Sequence, residues 1–198
     1  MSKELSASLN QIAISGTRTP AWLRNVGIVL VGSAFVAACS HISIPLYFTP
    51  VPLTVQPFAV LLLGLLLSPR IAATTLIAYL AEGAAGLPVF TPTPVMTGMA
   101  HLFGPTGGYL LAYPLAAFLI SALWRRTGRS FTAAAFSAAA GDLVILLCGA
   151  LWMVIASPVP AKSVLILAVL PFLAGDALKV IAAAGLASGF RRLRQAQK

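Results

Sequence analysis

Apolar residues in this chain run together in long stretches, and short polar or proline-rich breaks separate one stretch from the next. The first two dozen residues are rich in Ser, Thr and Asn and end at Thr19-Pro20-Ala21-Trp22-Leu23-Arg24. They predict a tail over residues 1–24 with Trp22 as an interfacial anchor. Span one is predicted over Val26 to Ile44. Pro45, Pro50 and Pro52 close it, because proline lacks the amide donor and clashes one turn back. Span two follows from Val55 to Leu67, span three from Ile71 to Ala85, and a Pro- and Gly-rich connection from Gly86 to Gly107. Spans four, five and six are predicted over Gly108 to Trp124, Thr132 to Ala156, and Val164 to Phe190. The pattern gives an all-α integral membrane protein with a six-helix domain over residues 25–190 and a basic tail over 191–198.

Composition narrows this further. Of 198 residues, 13 are Lys or Arg and 4 are Asp or Glu, so 9% are charged and 59% are hydrophobic. Soluble domains carry about 25% charged residues, so a soluble enzyme or regulator is excluded. Two stretches contain no charge at all: 45 residues from Asn25 to Pro69 and 42 from Gly83 to Trp124. Each holds two spans of about 20 residues. The net charge of +9 does not make a nucleic-acid face, because the basic residues fall in small separated clusters. Cys39 and Cys148 lie in apolar runs, too far apart for a zinc spacing. Val36-Ala37-Ala38-Cys39 imitates a lipoprotein cleavage site, but such a signal precedes a soluble domain, and this chain stays apolar.

The charge distribution orients the spans. With a cytoplasmic N-terminus, eleven basic residues fall on the inner side. They comprise Lys3, Arg18 and Arg24, then Arg70, then Arg125, Arg126 and Arg129, then Arg191, Arg192, Arg194 and Lys198. Lys162 alone lies outside and Lys179 lies within a span. Both termini are thereby predicted cytoplasmic. Ten of the 14 prolines lie in or beside the outer connections. Irregular backbone near membrane depth needs protein or a watery cavity around it, so a pocket opening to the outer side is expected. Rigid surface turns are the plainer alternative.

Ionisable groups inside spans are expensive to bury and usually functional. Asp176 and Lys179 stand three residues apart in span six, on one helix face about 4.5 Å apart along the axis. They could neutralise each other, or offer a ligand one acceptor and one donor. Asp142 in span five is the other mid-span acid, with Lys179, another polar span residue or a proton as its partner. Glu82, His41 and His101 sit near the outer edge, the histidines as local hydrogen-bonding residues without metal-ligand spacing. Gln56 opens span two as an uncharged pocket donor or acceptor. Gly104-Pro105-Thr106-Gly107-Gly108-Tyr109 is not a phosphate loop, since no Lys follows it. Its glycines predict a tight turn and a helix N-terminus that favours an anion such as a carboxylate. Ala34 and Ala38 form a small-x-x-x-small pair on span one, a spacing that lets another helix approach.

Four segments occur in order: Val51-Pro52-Leu53-Thr54-Val55-Gln56, Gly86-Leu87-Pro88-Val89-Phe90, Gly104 to Tyr109, and Pro171-Phe172-Leu173-Ala174-Gly175-Asp176-Ala177-Leu178-Lys179. Together they resemble the BioY family, the biotin-specific S components of energy-coupling factor (ECF) transporters, over about Ala34 to Ala187. The resemblance implies a six-helix protein of the cell inner (plasma) membrane that captures biotin from outside. It also implies docking on a transmembrane coupling subunit with paired cytoplasmic ATPases. Asp176 and Lys179 match the family's Gly-Asp-x-x-Lys pair at the biotin head or carboxylate. Gln56, Tyr109, Gly107 and Gly108 fall at motif positions near the pocket, and Ala34 and Ala38 match the coupling motif of span one. Thr91 to Gly98 is less glycine-rich than in relatives, and Asp142 and His101 fall outside the pattern. No cofactor, metal or ATPase motif of its own is expected. The alternative function is a stand-alone proton-coupled transporter of a small vitamin-like solute, acting through Asp142 or Asp176. An intramembrane enzyme would need a nucleophile with a nearby base or a metal cluster, which two separated histidines and two lone cysteines do not supply.

Overall fold

Three of the helices start on a proline, which has the right φ for a first turn and no amide left to satisfy there. Pro57, Pro69 and Pro171 each stand at the first or second position of a helix. The computed structural model describes residues 20–92, 98–156 and 160–197. The expected tail up to residue 19, including Lys3 and Arg18, lies outside the described residues, as does Lys198. Helix α1 runs Ala21–Ser40 and leads into a two-stranded antiparallel hairpin, β1 (Ser43–Ile44) and β2 (Leu53–Thr54). Then come α2 (Gln56–Leu66), α3 (Pro69–Ala84), the short α4 (Met99–Phe103), α5 (Gly107–Arg126) and α6 (Phe131–Ala156). The chain closes with α7 (Ala161–Ala168) and α8 (Leu170–Ala196).

The expected spans correspond to these helices with three differences. Span one ends at Ser40, because the segment expected to extend the helix to Ile44 pairs with Leu53 and Thr54 instead. Span six is broken at Val169, which separates α7 from α8. The stretch assigned to a basic tail is largely helical, with α8 continuing to Ala196. By length and apolar composition, four segments can cross a membrane: Ala21–Ser40, Gly107–Arg126, Phe131–Ala156 and Lys162–Ala196. Helix α2 has 11 residues and α3 has 16. At 1.5 Å per residue they reach about 16 and 24 Å, short of a hydrocarbon core of about 30 Å. Large apolar side chains cover the outside of the long helices. Leu143, Leu147 and Leu151 on α6 and Leu178, Ile181 and Leu186 on α8 are all exposed, as lipid-facing surfaces require. This is a multi-pass membrane protein.

Short and broken helices leave backbone carbonyls bare, and within a bilayer each must find a donor. Hydroxyls from neighbouring elements supply them. Ser121 of α5 donates to the Leu67 carbonyl at the end of α2 (2.6 Å). In the loop after α3, Ser40 and Tyr79 both donate to the Val89 carbonyl (2.7 and 2.9 Å). At the α7–α8 break, Pro171 has no N–H for the Leu167 carbonyl, and Thr49 donates to it at 2.7 Å. The Phe172 amide bonds back to Val169, and the Tyr109 hydroxyl takes the Ala168 carbonyl at 2.6 Å. Between α1 and α3, Ser33 donates to the Glu82 carboxylate at 2.9 Å.

Glycines set the spacing of α5 against α6. A Cβ on Gly141 would collide with the Ile120 side chain, one on Gly149 with the Tyr109 ring, and one on Gly108 with Trp152 and the Cys148 carbonyl. Small residues here let two backbones approach, which brings Tyr109 and Asp142 to one interior space. At one end of the bundle the Arg191 guanidinium donates to the Gly128 and Arg129 carbonyls. The hairpin and α4 lie at the other end.

Candidate substrate-binding site

Between the hairpin and the middle of the bundle lies a cavity of ≈ 170 Å³. Its lining follows helical periodicity. Tyr109, Leu110 and Tyr113 come from one face of α5, Asp142, Ile145 and Leu146 from α6, and Phe172, Asp176 and Lys179 from α8. The hairpin and the start of α2 add Pro50, Pro52, Thr54 and Gln56, and Phe90, Thr91, His101, Pro105 and Thr106 complete the open end. The walls are mostly apolar with a few convergent polar groups, as in small-molecule sites generally.

Asp176 and Lys179 form the ion pair that their spacing predicts, with Nζ 2.8 Å from Oδ1. Asp176 is 4% exposed and Asp142 is 7% exposed. The two acids face the same cavity from different helices, and Asp142 makes no ion pair among the described residues. Burying such charges costs several kcal/mol per ion, and an apolar trio of the same volume would stabilise the bundle more. Ionisable groups buried at this cost within a membrane bundle mark a candidate functional site.

Five sequence candidates thus meet at one cavity: Gln56, Tyr109, Asp142, Asp176 and Lys179. The Gln56 amide nitrogen donates to the Tyr79 hydroxyl (2.8 Å), which in turn donates to the Val89 carbonyl (2.9 Å). Tyr109 presents its ring to the cavity and meets Phe172 edge to face at 6.2 Å, while its hydroxyl holds Ala168. Gly107 and Gly108 stand apart from the lining. A Cβ on Gly107 would strike the Leu102 carbonyl, so these glycines pack helices together at the start of α5. Ala34 and Ala38 are exposed on the outer face of α1, away from the cavity.

Sequence reasoning did not single out Tyr113, Phe90 and Phe172. The four-residue spacings Tyr109–Tyr113 and Phe172–Asp176 carried the signal, since each places an aromatic on the face of a named candidate. His101 is the local hydrogen-bonding residue expected. Its Nε2 bonds the Thr91 carbonyl at 3.0 Å and its ring packs on Phe90. Among the described residues no group of three or more metal-ligating side chains occurs.

A helical membrane bundle around a small cavity, open at one end and with a charged floor, is the build of a protein that carries or captures a solute. The comparisons give the family. The BioY family model matches residues 6–196. A probable biotin transporter BioY of Pyrococcus horikoshii is 39% identical over 160 residues, covering 81% of this chain and 91% of the relative. Biotin transporter BioY2 of Lactococcus lactis subsp. cremoris is 33% identical, covering 80% and 85%. The crystal structure of the S-component for biotin from an ECF-type ABC transporter superposes with a TM-score of 0.79 at 26% identity, over 89% of this chain and 95% of that one. The chain belongs to the BioY family, and so to transport proteins rather than enzymes.

Proposed function

We propose that this protein is the biotin-binding S component of an ECF-type transporter. In that role it crosses the cell inner membrane six times with both termini cytoplasmic, and its cavity opens to the outer side. The charge arrangement favours this orientation: Arg24, Arg70, Arg125, Arg126 and Arg129 lie at helix ends remote from the hairpin. The short α2 fits it too, because the carbonyl at its end is capped by the Ser121 hydroxyl of α5.

One observation carries the ligand assignment: a buried Asp–Lys pair on the floor of an aromatic cavity. A cyclic urea has N–H donors and a carbonyl acceptor side by side. Asp176 accepts from the first and Lys179 donates to the second, each through a charge-assisted hydrogen bond. With Asp142 nearby, the floor holds two acids to one base, which repels a carboxylate. The ureido head therefore lies on the floor and the valerate tail points toward the hairpin, past Tyr109, Tyr113 and Phe172. In the same reading, partner subunits supply ATP hydrolysis, and the exposed Ala34 and Ala38 let a coupling-subunit helix lie close against α1.

Retention of biotin by the purified protein in detergent tests the assignment. A screen against thiamine and riboflavin sets the specificity: tight binding of either in place of biotin sinks the ligand assignment. Uptake by this chain alone that collapses with the proton gradient would support the proton-coupled alternative through Asp142.

A further inference from the structure

The charges around the cavity are unequal. Among the described lining residues Lys179 is the sole Lys or Arg, and it is committed to Asp176 at 2.8 Å. The other titratable groups facing the cavity are His101 on α4 and Tyr109 and Tyr113 on α5. Nε2 of His101 is engaged with the Thr91 carbonyl, and the Tyr109 hydroxyl with Ala168. Residues 93–97, next to this open end in sequence, include no basic residue. Toward the hairpin the polar lining is the hydroxyls of Thr54, Thr91 and Thr106 and the His101 imidazole, whose Nδ1 has no partner among the described residues, interspersed with prolines that have no N–H. A threonine hydroxyl hydrogen-bonds a carboxylate, an ester carbonyl or an amide alike. The tail of a ligand seated head-down meets hydroxyls and an imidazole but no Lys or Arg among the described lining residues, while Asp142 below, without an ion pair among them, repels its negative charge.

We propose that this pocket reads the ureido head and needs no charge on the tail. It then takes biotin derivatives whose carboxyl group is capped as an ester or an amide, and Asp142 sets that charge selectivity. The inference rests on the biotin reading above and adds to it the ligand class. Selectivity of this kind follows from Coulomb repulsion alone, since only the anionic form feels the Asp142 charge.

Competition against radiolabelled biotin, by biotin, biotin methyl ester and biotinamide, tests it on the purified parent and on Asp142→Asn. The parent is expected to bind ester and amide within about tenfold of biotin. Asp142→Asn is expected to shift the ester-to-biotin affinity ratio about fivefold in favour of biotin, a shift of the size of one unit-charge repulsion across a small ligand. Ester and amide binding more than about tenfold weaker than biotin in the parent overturns the proposal. An unchanged ester-to-biotin ratio in Asp142→Asn overturns the role of Asp142. A parent that retains no biotin at all defeats the ligand reading and this inference with it, whereas a parent that retains biotin and rejects the ester defeats this inference alone.

Discussion

The Tyr109 hydroxyl of α5 donates a 2.6 Å hydrogen bond to the Ala168 carbonyl at the break between α7 and α8. The same tyrosine ring lines the cavity beside Phe172. One side chain thus ties the shape of the cavity to the break that begins α8, and Asp176 and Lys179 follow within about three turns of it.

Tyr109→Phe keeps the ring and removes the bond, and Thr49→Val does the same for the Leu167 carbonyl. Each leaves a bare carbonyl and is expected to cost about 1–3 kcal/mol. The check is the thermal midpoint in detergent, which falls for both. Faster hydrogen exchange at Leu170 and Phe172 locates the loss. A midpoint equal to the parent's in both variants would show that the break is held by something else.

Asp176→Asn strands the Lys179 ammonium and Lys179→Met strands the Asp176 carboxylate. Breaking a buried pair from one side is expected to cost about 3–5 kcal/mol. The double variant removes both charges and should recover most of that stability while biotin retention stays lost. Thermal unfolding and ligand retention, measured on the same samples, separate the two effects. If the single variants retain biotin like the parent, the pair is not part of the site.

Ala34→Trp and Ala38→Trp enlarge an exposed face of α1 that touches nothing else in the chain's cavity. Biotin retention in detergent should be unchanged. Co-purification with the coupling subunit, and uptake in cells carrying all subunits, should drop strongly. Full uptake by both variants would remove α1 as the docking face.

Gly108→Val drives a side chain into Trp152 and the Cys148 carbonyl. Overpacking of this kind costs about 1–3 kcal/mol, and α5 and α6 carry the cavity between them. A lower thermal midpoint with weakened retention is expected, measured against Gly185→Ala, where a Cβ meets open space.

Single cysteines at Lys162 and Arg129, in a background with Cys39 and Cys148 replaced, report topology. A membrane-impermeant thiol reagent added to whole cells should label the position 162 cysteine and spare the one at position 129. The reverse pattern would invert the proposed orientation.

Much of the cavity lining was readable along the chain. Acids and a lysine inside apolar stretches are conspicuous, and the i, i+3 spacing of Asp176 and Lys179 implied their pairing on one helix face. Gln56 and Tyr109 were placed by their motifs. Hydropathy hid the break at Val169, because Leu167 to Leu170 is as apolar as any continuous span and Pro171 is tolerated at a helix start. It also hid the hairpin, where two residues of pairing turn the end of a presumed span aside. The glycines of Gly107 and Gly108 read as an anion site from spacing alone. Their packing against Leu102 and Trp152 depends on residues remote in sequence.

By itself the sequence determined that this chain lives in a membrane, roughly where its helices run, and which charges are too costly to bury without purpose. Those properties are local: they depend on composition and spacing within one segment. Tertiary structure decided that Asp142 and Asp176 share one cavity with a single lysine, and that Thr49 and Tyr109 hold open the break above them. These are long-range contacts between helices, set by where glycine lets α5 and α6 approach and by which carbonyls the prolines leave bare.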